Sequence, residues 1–530
     1  MNRYRLPALA TALLFALCSA LVSASNVTIY PAPDKSLLSP DFTLQVDGKD
    51  VPVYTVKVAP TDAAGRTNAM DDKLNTAQYF ERAAFAYFDA EGAVQVAVTY
   101  SSSVSAARLL PASPNAKVAM NGRTVRFTLN APGNFTLEVN HELVRTLHIF
   151  VNPPETDAPS PHAANVFYLA PGKHEGDALN VPAGKTVIYF APGMHSIDSL
   201  VVHDGQTLYI AGGAVVKAVI NPSEPFSKVK QSRGNVELNL YKHPAITLSG
   251  SNIKLRGHGV LDGSEARGKY LLRIQGQNIS AEGIILQDAG TWTIPVWYSD
   301  QVTLTNLKLL GYRANSDGID IVSSRDVTVK DCFIRTLDDN VTLKTIAHDA
   351  KATTEADEIR NVVVENSILW GEVAHVLTIG TQVEAYIHGV TFTDDDIIHY
   401  LGRDAPLAVD LSGSATVGNV RYQNIRVDNR DNPFDKNGES RLIDVVVKKS
   451  TAWQRAADLE KALGKVRGVA FENIQATISS PKVRILLTGA DENSDVQDVK
   501  FQNVTVNGRP LSKGNSVITQ KFTNHVTGLP

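Results

Sequence analysis

Apolar and polar residues alternate with period two in short runs along the first quarter of the chain. Phe42-Thr-Leu-Gln-Val46, Val94-Gln-Val-Ala-Val98, Val125-Arg-Phe-Thr-Leu129 and Phe135-Thr-Leu-Glu-Val139 each place alternate side chains on one face. Asp47-Gly48, Asn121-Gly122 and Pro132-Gly133 supply turns between such runs. The pattern predicts an antiparallel β-sandwich over residues 25–153, with Phe85-Ala-Tyr-Phe88 filling its core. Such a domain either packs against its neighbour or binds carbohydrate, and no cluster of exposed aromatic residues marks the second role. Asn152 to Pro161 holds four prolines, so residues 154–165 read as a linker.

Beyond Val166 the alternation becomes repetitive. Asn278-Ile-Ser-Ala, Gln301-Val-Thr-Leu, Asp326-Val-Thr-Val and Asn361-Val-Val-Val open similar units, and later copies start near Gly389, Asn419, Gly468 and Asp498. The first three starts lie 23 and 25 residues apart. A period of that size made of short strands predicts a parallel β-helix over residues 166–530, with strands of successive coils stacked roughly 4.8 Å apart. Asn and Asp at the turns tolerate left-handed backbone and can form side-chain ladders. The Leu-x-x-Leu-x-Leu frame of a leucine-rich repeat is missing. Ala452 to Leu463 is rich in helix formers and stops at Gly464, which predicts a short inserted helix.

Composition adds three constraints. Of 530 residues, 51 are Lys or Arg and 55 are Asp or Glu, for a net charge of −4, which argues against nucleic acid as a partner. Arg3 and Arg5 precede an apolar run from Leu6 to Val22, and Val22-Ser-Ala24 offers small residues for cleavage. This predicts a signal peptide over residues 1–24 and a periplasmic or secreted mature protein with no membrane association. The two cysteines are Cys18 and Cys332. Removing the first leaves Cys332 without an intramolecular partner, as a small filler of the solenoid interior.

The chemistry concentrates in two adjacent coils, Ala314-Asn-Ser-Asp-Gly-Ile-Asp320 and Thr336-Leu-Asp-Asp-Asn-Val-Thr-Leu-Lys344. Asp317 and Asp338 are 21 residues apart, about one coil, so register places them on the same side. If Asp338 and Asp339 lie on a turn, both face outward with Asp317. Close carboxylates resist simultaneous ionisation, so such a trio supplies a general acid and a water-activating base. The alternatives are ordinary turns and a Ca²⁺ site.

Asn315-Ser-Asp-Gly318 followed one coil later by Asp338-Asp339 resembles the signature of β-helical inverting glycoside hydrolases. Two branches are similar: the dextranase and isopullulanase group (family 49) and the polygalacturonases (family 28). The resemblance implies that Asp338 is the general acid and that Asp317 and Asp339 activate the water. The dextranase branch resembles this chain in its N-terminal sandwich, in a lysine after the Asp pair (Lys344) and in lacking Gly-His-Gly. Polygalacturonases carry Gly-His-Gly and then Arg-Ile-Lys; here the corresponding stretch reads Val373-Ala-His-Val-Leu-Thr-Ile-Gly380, and Arg441-Leu-Ile is a poor substitute for the second motif. Candidate substrate contacts are Lys344, His375, Trp297, Asn315, Asn340 and Glu384, with Trp292, His399, Tyr400 and Asp410 as further candidates on the same face. Lys344 either touches substrate or neutralises the carboxylates. Asp394-Asp-Asp396 reads as a solvated turn or ion site. No cofactor is implied.

The function expected is inverting hydrolysis of an α-linked polysaccharide or oligosaccharide, with a dextran- or pullulan-type α-glucan first and pectic polyuronide second. A polysaccharide lyase and a non-catalytic glycan-binding protein are the competing readings.

Overall fold

The computed structural model describes residues 26–530 except 61, 63, 68–79, 113–116, 131, 231–236, 349–352 and 451–460. The expected signal peptide lies outside the described residues, as does the expected helix up to Glu460; Lys461, Ala462 and Leu463 are not helical.

Two antiparallel-rich sheets form the N-terminal sandwich. One runs in the order Lys49–Val51, Phe42–Val46, Val94–Tyr100, Thr124–Leu129 and Ala119–Asn121. The other runs Val27–Thr28, Glu81–Ala90, Leu147–Asn152, Gly133–Val139 and Ala107–Leu110, with Val53–Val58 also paired to Glu81–Ala90. The alternation read from sequence sets which side chains meet: Leu44, Val46, Val96, Val98, Phe127, Leu137 and Ile149 are buried between the sheets.

Phe85-Ala-Tyr-Phe88 divides its aromatic residues. Only Phe88 enters the sandwich core; Phe85 and Tyr87 point the opposite way, as period two requires, and pack with Phe150 against Leu310, Phe333 and Trp370 of the solenoid. The expectation that the whole run fills the sandwich therefore fails, because the second sheet is buried on both faces. Burying these aromatic residues between the domains provides apolar contact that no disulfide supplies. Cys332, the free cysteine among the described residues, is buried in the solenoid core.

From Val166 the chain winds a right-handed parallel β-helix whose central coils each supply three strands. One coil comprises Ile319–Val322, Arg325–Lys330 and Phe333–Thr336; the next comprises Val341–Thr345, Ile359–Glu365 and Ile368–Gly371. The first two strand files form one sheet of 22 strands, and the third file forms a sheet of 13. The repeat starts read from sequence are the corners between the first two files. Asn278, Gln301, Asp326, Asn361, Asn419 and Asp498 have φ between +51° and +58°. The amide of Asn361 bonds Asp326 and that of Asn366 bonds Asp331, so the corners are laced along the solenoid axis. Apolar ladders fill the interior, including Val302, Val327, Val362, Val390 and Val420. The sandwich lies on the third file, leaving the first file and the turns leading into it as the surface that carries the carboxylates.

Candidate active site

The turns between the third and first strand files bring the predicted residues together. Asp317 precedes Ile319–Val322, and Asp338 and Asp339 precede Val341–Thr345. Gly318 N donates to Asp339 O at 2.8 Å, and Ile319 pairs with Val341, so Asp317 and Asp339 sit on neighbouring rungs. Residues 337–339 are not in a strand. This release from strict alternation lets both Asp338 and Asp339 face the same side as Asp317. One oxygen from each of the three carboxylates lies within 4.8 Å of the other two.

Their surroundings differ, and so do their proton affinities. Burial, with the charges of Asp317 and Asp339 beside it, pushes Asp338 well above the usual carboxylate range. Its Oδ2 accepts from Asn315 N at 3.2 Å and its Oδ1 from Asp339 N at 3.1 Å. Burial opposes ionisation of Asp339 too, but hydrogen bonds from His375 and its charge outweigh this and hold Asp339 below its ordinary value. The His375 backbone N and Nδ1 each lie 3.0 Å from Asp339 Oδ1. For His375 burial disfavours the cation, yet Asp339 lifts its pKa to about 9. The surroundings thus push the two neighbouring aspartates in opposite directions, favouring the proton on Asp338 and the charge on Asp339 and His375.

A fourth carboxylate completes the cluster. Lys344 Nζ lies 2.6 Å from Asp320 Oδ1 and 3.1 Å from Asp317 Oδ2. Burial raises the proton affinity of both aspartates, and Lys344 opposes that rise. Asp320 was missed as a site residue in the sequence reading. Its signal is the Asp317-Gly-Ile-Asp320 spacing, which brings a second carboxylate to the strand beside Lys344: Asp320 pairs with Thr342 across the rungs.

The other sequence candidates divide. Lys344 is 6% exposed, is paired with the two aspartates and lies 4.2 Å above the Trp292 ring, the placement of a group that neutralises the cluster. Asn340 is fully buried and donates to Thr336 Oγ1 and Trp370 O; it shapes the Asp338-Asp339 turn and does not line the groove. Asn315 has φ +60° and directs its backbone N at Asp338 Oδ2. Glu384 Oε2 accepts from Ala347 N at 2.8 Å, tying down the loop after Lys344. His399 is 3% exposed and turned toward Glu138 of the sandwich, and Tyr400 is fully buried, because both belong to the third file; they do not share the face of the carboxylate trio. Asp410, on the first file, pairs with Lys448 at 2.6 Å. Asp395 is buried and accepts from Ser367 N, so Asp394-Asp-Asp396 straddles a corner.

Two surfaces extend the site along the axis. On the N-terminal side Tyr270, Trp292, Trp297 and Tyr298 form a run of ring contacts with centroids 5.6–6.0 Å apart, and each ring is partly exposed. On the C-terminal side Arg403, Asp404, Asp435, Lys436, Arg441 and Arg484 border a cavity of about 360 Å³. Strand pairing places Arg441 beside Arg484 and two coils past His375. Sequence reasoning missed this cavity because its residues come from three separated segments.

Residues 264–524 match the model of the family described as Glycosyl hydrolases family 28. An endo-polygalacturonase of Pectobacterium carotovorum subsp. carotovorum is 32% identical over 132 residues, which is 24% of this chain and 30% of that protein. The chain thus aligns with under a third of that relative's length. Dex49A from Penicillium minioluteum has a similar fold over 92% of each chain, with a TM-score of 0.60 at 13% identity. A polygalacturonase from Erwinia carotovora ssp. carotovora matches over 71% of this chain and 99% of its own, with a TM-score of 0.51 at 18% identity.

Proposed function

We propose, from the premise that residues 264–524 form a family 28 glycosyl hydrolase domain, that this protein is an inverting glycoside hydrolase acting on an α-linked polysaccharide. The observation that carries the reading is the division of labour within one carboxylate trio. Asp338, whose proton affinity is raised by burial and by the carboxylates beside it, is suited to protonate the leaving oxygen. Asp339 is ionised, and with Asp317 it is suited to activate water.

The spacing bears on the mechanism. Inverting pairs are commonly about 6.5–9.5 Å apart and retaining pairs about 5–5.5 Å. Here the nearest oxygens fall within 4.8 Å. A water donating two hydrogen bonds of roughly 2.8 Å separates its acceptors by roughly 4.5 Å. The trio therefore suits a water held by two carboxylates, Asp317 and Asp339, while the third acts as acid. In this scheme the water lies between the two bases, and not between acid and base.

For substrate we favour a pectic-type polyuronide over dextran or pullulan. The family 28 domain and the endo-polygalacturonase relative both support this choice, whereas the likeness to Dex49A is one of fold. Arg441, two coils (roughly 10 Å) past His375, and Arg484, one rung further on, offer guanidinium groups to a sugar carboxylate. The intervening coil reads Leu407-Ala-Val-Asp-Leu411 and brings Asp410 instead of a cation. That rung presents an ion pair, Asp410 with Lys448, in place of a lone cation, and this keeps an α-glucan as the second reading.

The test is a screen of reducing ends released from polygalacturonate, dextran and pullulan by the wild-type protein and Asp338→Asn. Activity on one of these that the substitution abolishes supports the proposal. Activity that persists in the variant contradicts the assignment of the acid. We also place the mature enzyme in the periplasm or outside the cell, on the strength of residues 1–24; N-terminal sequencing of the exported protein beginning near Ser25 would support that.

A further inference from the structure

The sandwich domain reaches the back of the catalytic turns at three points. Glu372, three residues before His375, is fully buried and its carboxylate is held by two arginines. Arg335 Nε lies 2.7 Å from Oε1, and Arg66 Nη1 lies 2.6 Å from Oε2. Arg66 comes from the sandwich, is itself fully buried, and also donates to the main-chain oxygen of Glu372 at 2.6 Å. Arg335 is fixed in turn by the sandwich: Nη1 reaches Thr146 Oγ1 at 3.1 Å and His148 Nε2 at 3.2 Å, and Nη2 donates to Leu143 O. The third point is apolar. Ala59 packs with Leu337 and Val373 in a small cluster of their own.

These contacts converge on two turns that are already joined. Glu372 N donates to Thr336 O, and Val373 N and Ala374 N donate to Leu337 O. Leu337 immediately precedes Asp338, and Ala374 immediately precedes His375. A displacement of the Glu372 peptide is therefore passed to the 3.0 Å contacts between His375 and Asp339. Catalytic geometry tolerates little error: a shift of about 1 Å costs on the order of 10²-fold in rate. A fully hydrogen-bonded buried ionic group suits the task of fixing one geometry.

We propose that Arg66 is a positioning residue for the reaction, through which the sandwich domain holds the turn that sets His375 against Asp339. This rests on the hydrolase reading above. The N-terminal domain is then part of the catalytic apparatus, acting from behind the site. Its contribution is geometric, since Arg66 touches neither substrate nor the carboxylate trio.

The test compares full-length wild-type, Arg66→Met and Arg66→Lys for kcat, KM, the pH dependence of kcat/KM and thermal midpoint. Arg66→Met is expected to lower kcat about 10- to 100-fold, leave KM within about twofold, and move the acid limb to higher pH as Asp339 loses its close contact with His375. Arg66→Lys is expected to return kcat to within a few-fold, because one ammonium can reach both Glu372 oxygens. If Arg66→Met does not fold, Ala59→Gly loosens the same turns without unpairing Glu372, and the same split is expected at about 3- to 10-fold. Folded variants with wild-type kcat and an unmoved acid limb overturn the inference. An inactive wild-type protein would instead sink the hydrolase reading, so the two failures are separable.

Discussion

His375 donates to one oxygen of Asp339 twice, from its backbone N and from Nδ1, each at 3.0 Å. This double contact favours the ionised form of Asp339, and it does so across one coil of the solenoid. The neighbouring Asp338 accepts from two backbone N–H groups, and burial beside the other carboxylates raises its proton affinity. Two aspartates adjacent in sequence are thereby shifted in opposite directions by their surroundings.

Replacing the acid should remove catalysis and spare binding. Asp338→Asn keeps the shape of the turn and its acceptor oxygen, but holds no transferable proton. General acid assistance is worth about 10²–10⁴-fold, so kcat should fall by that amount with KM little changed. Steady-state kinetics on the substrate identified by the screen checks this, and a substrate with a good leaving group should recover much of the rate.

His375→Gln should shift the acid limb of kcat/KM toward higher pH. Asp339 is held below its ordinary value by His375, so it stays ionised into acid. Without that partner its proton affinity rises and protonation begins at higher pH on acidification. In the wild type the pair persists up to the His375 pKa of about 9, above which the imidazole is neutral. A pH–rate profile that does not move would show that Asp339 is not the base.

Lys344→Met should destabilise the fold, more at pH 8 than at pH 5. The change leaves Asp317 and Asp320 buried without their cation. Breaking a buried pair costs about 3–5 kcal/mol. Burial then raises both folded-state carboxyl pKa values above their unfolded values. Their contribution to stability is fully present below the unfolded pKa and is lost as pH rises through the raised folded values. Thermal midpoints at the two pH values check the sign.

Arg441→Ala and Arg484→Ala should discriminate between substrates. Hydrogen bonds to charged groups contribute about 1.5–3 kcal/mol, so kcat/KM on polygalacturonate should fall at least about tenfold with each. Activity on any neutral glucan should change by less than about twofold. Equal losses on charged and neutral chains would remove the proposed carboxylate contact.

Much of this site is local, and that part is legible in sequence. The period of the turns gives the coil length, and coil length brings Asp317 beside the Asp338-Asp339 pair, with Asp339 as its partner on the next rung. The same periodicity explains why the corner residues Asn278, Asp326 and Asn361 adopt left-handed backbone. The remainder depends on which file a residue occupies. His399 and Asp410 are candidates of equal standing in sequence, yet one faces the sandwich and the other the first file. Asn340 sits beside Asp339 but turns inward to close the loop. Arg66 carries no motif, and its role arises only from interdomain packing that brings it to Glu372, 306 positions away. Asp320 is the exception: its spacing from Asp317 is visible, but its value becomes clear only once Lys344 is seen between them.

The most direct test of the central claim follows the anomer of the first product by proton NMR while wild-type enzyme cleaves an α-linked substrate. Hydrolysis by a water held between Asp317 and Asp339, with Asp338 as acid, predicts that the β-anomer appears first and mutarotates to the mixture. First appearance of the α-anomer would contradict the account, and would make one of these closely spaced carboxylates a nucleophile.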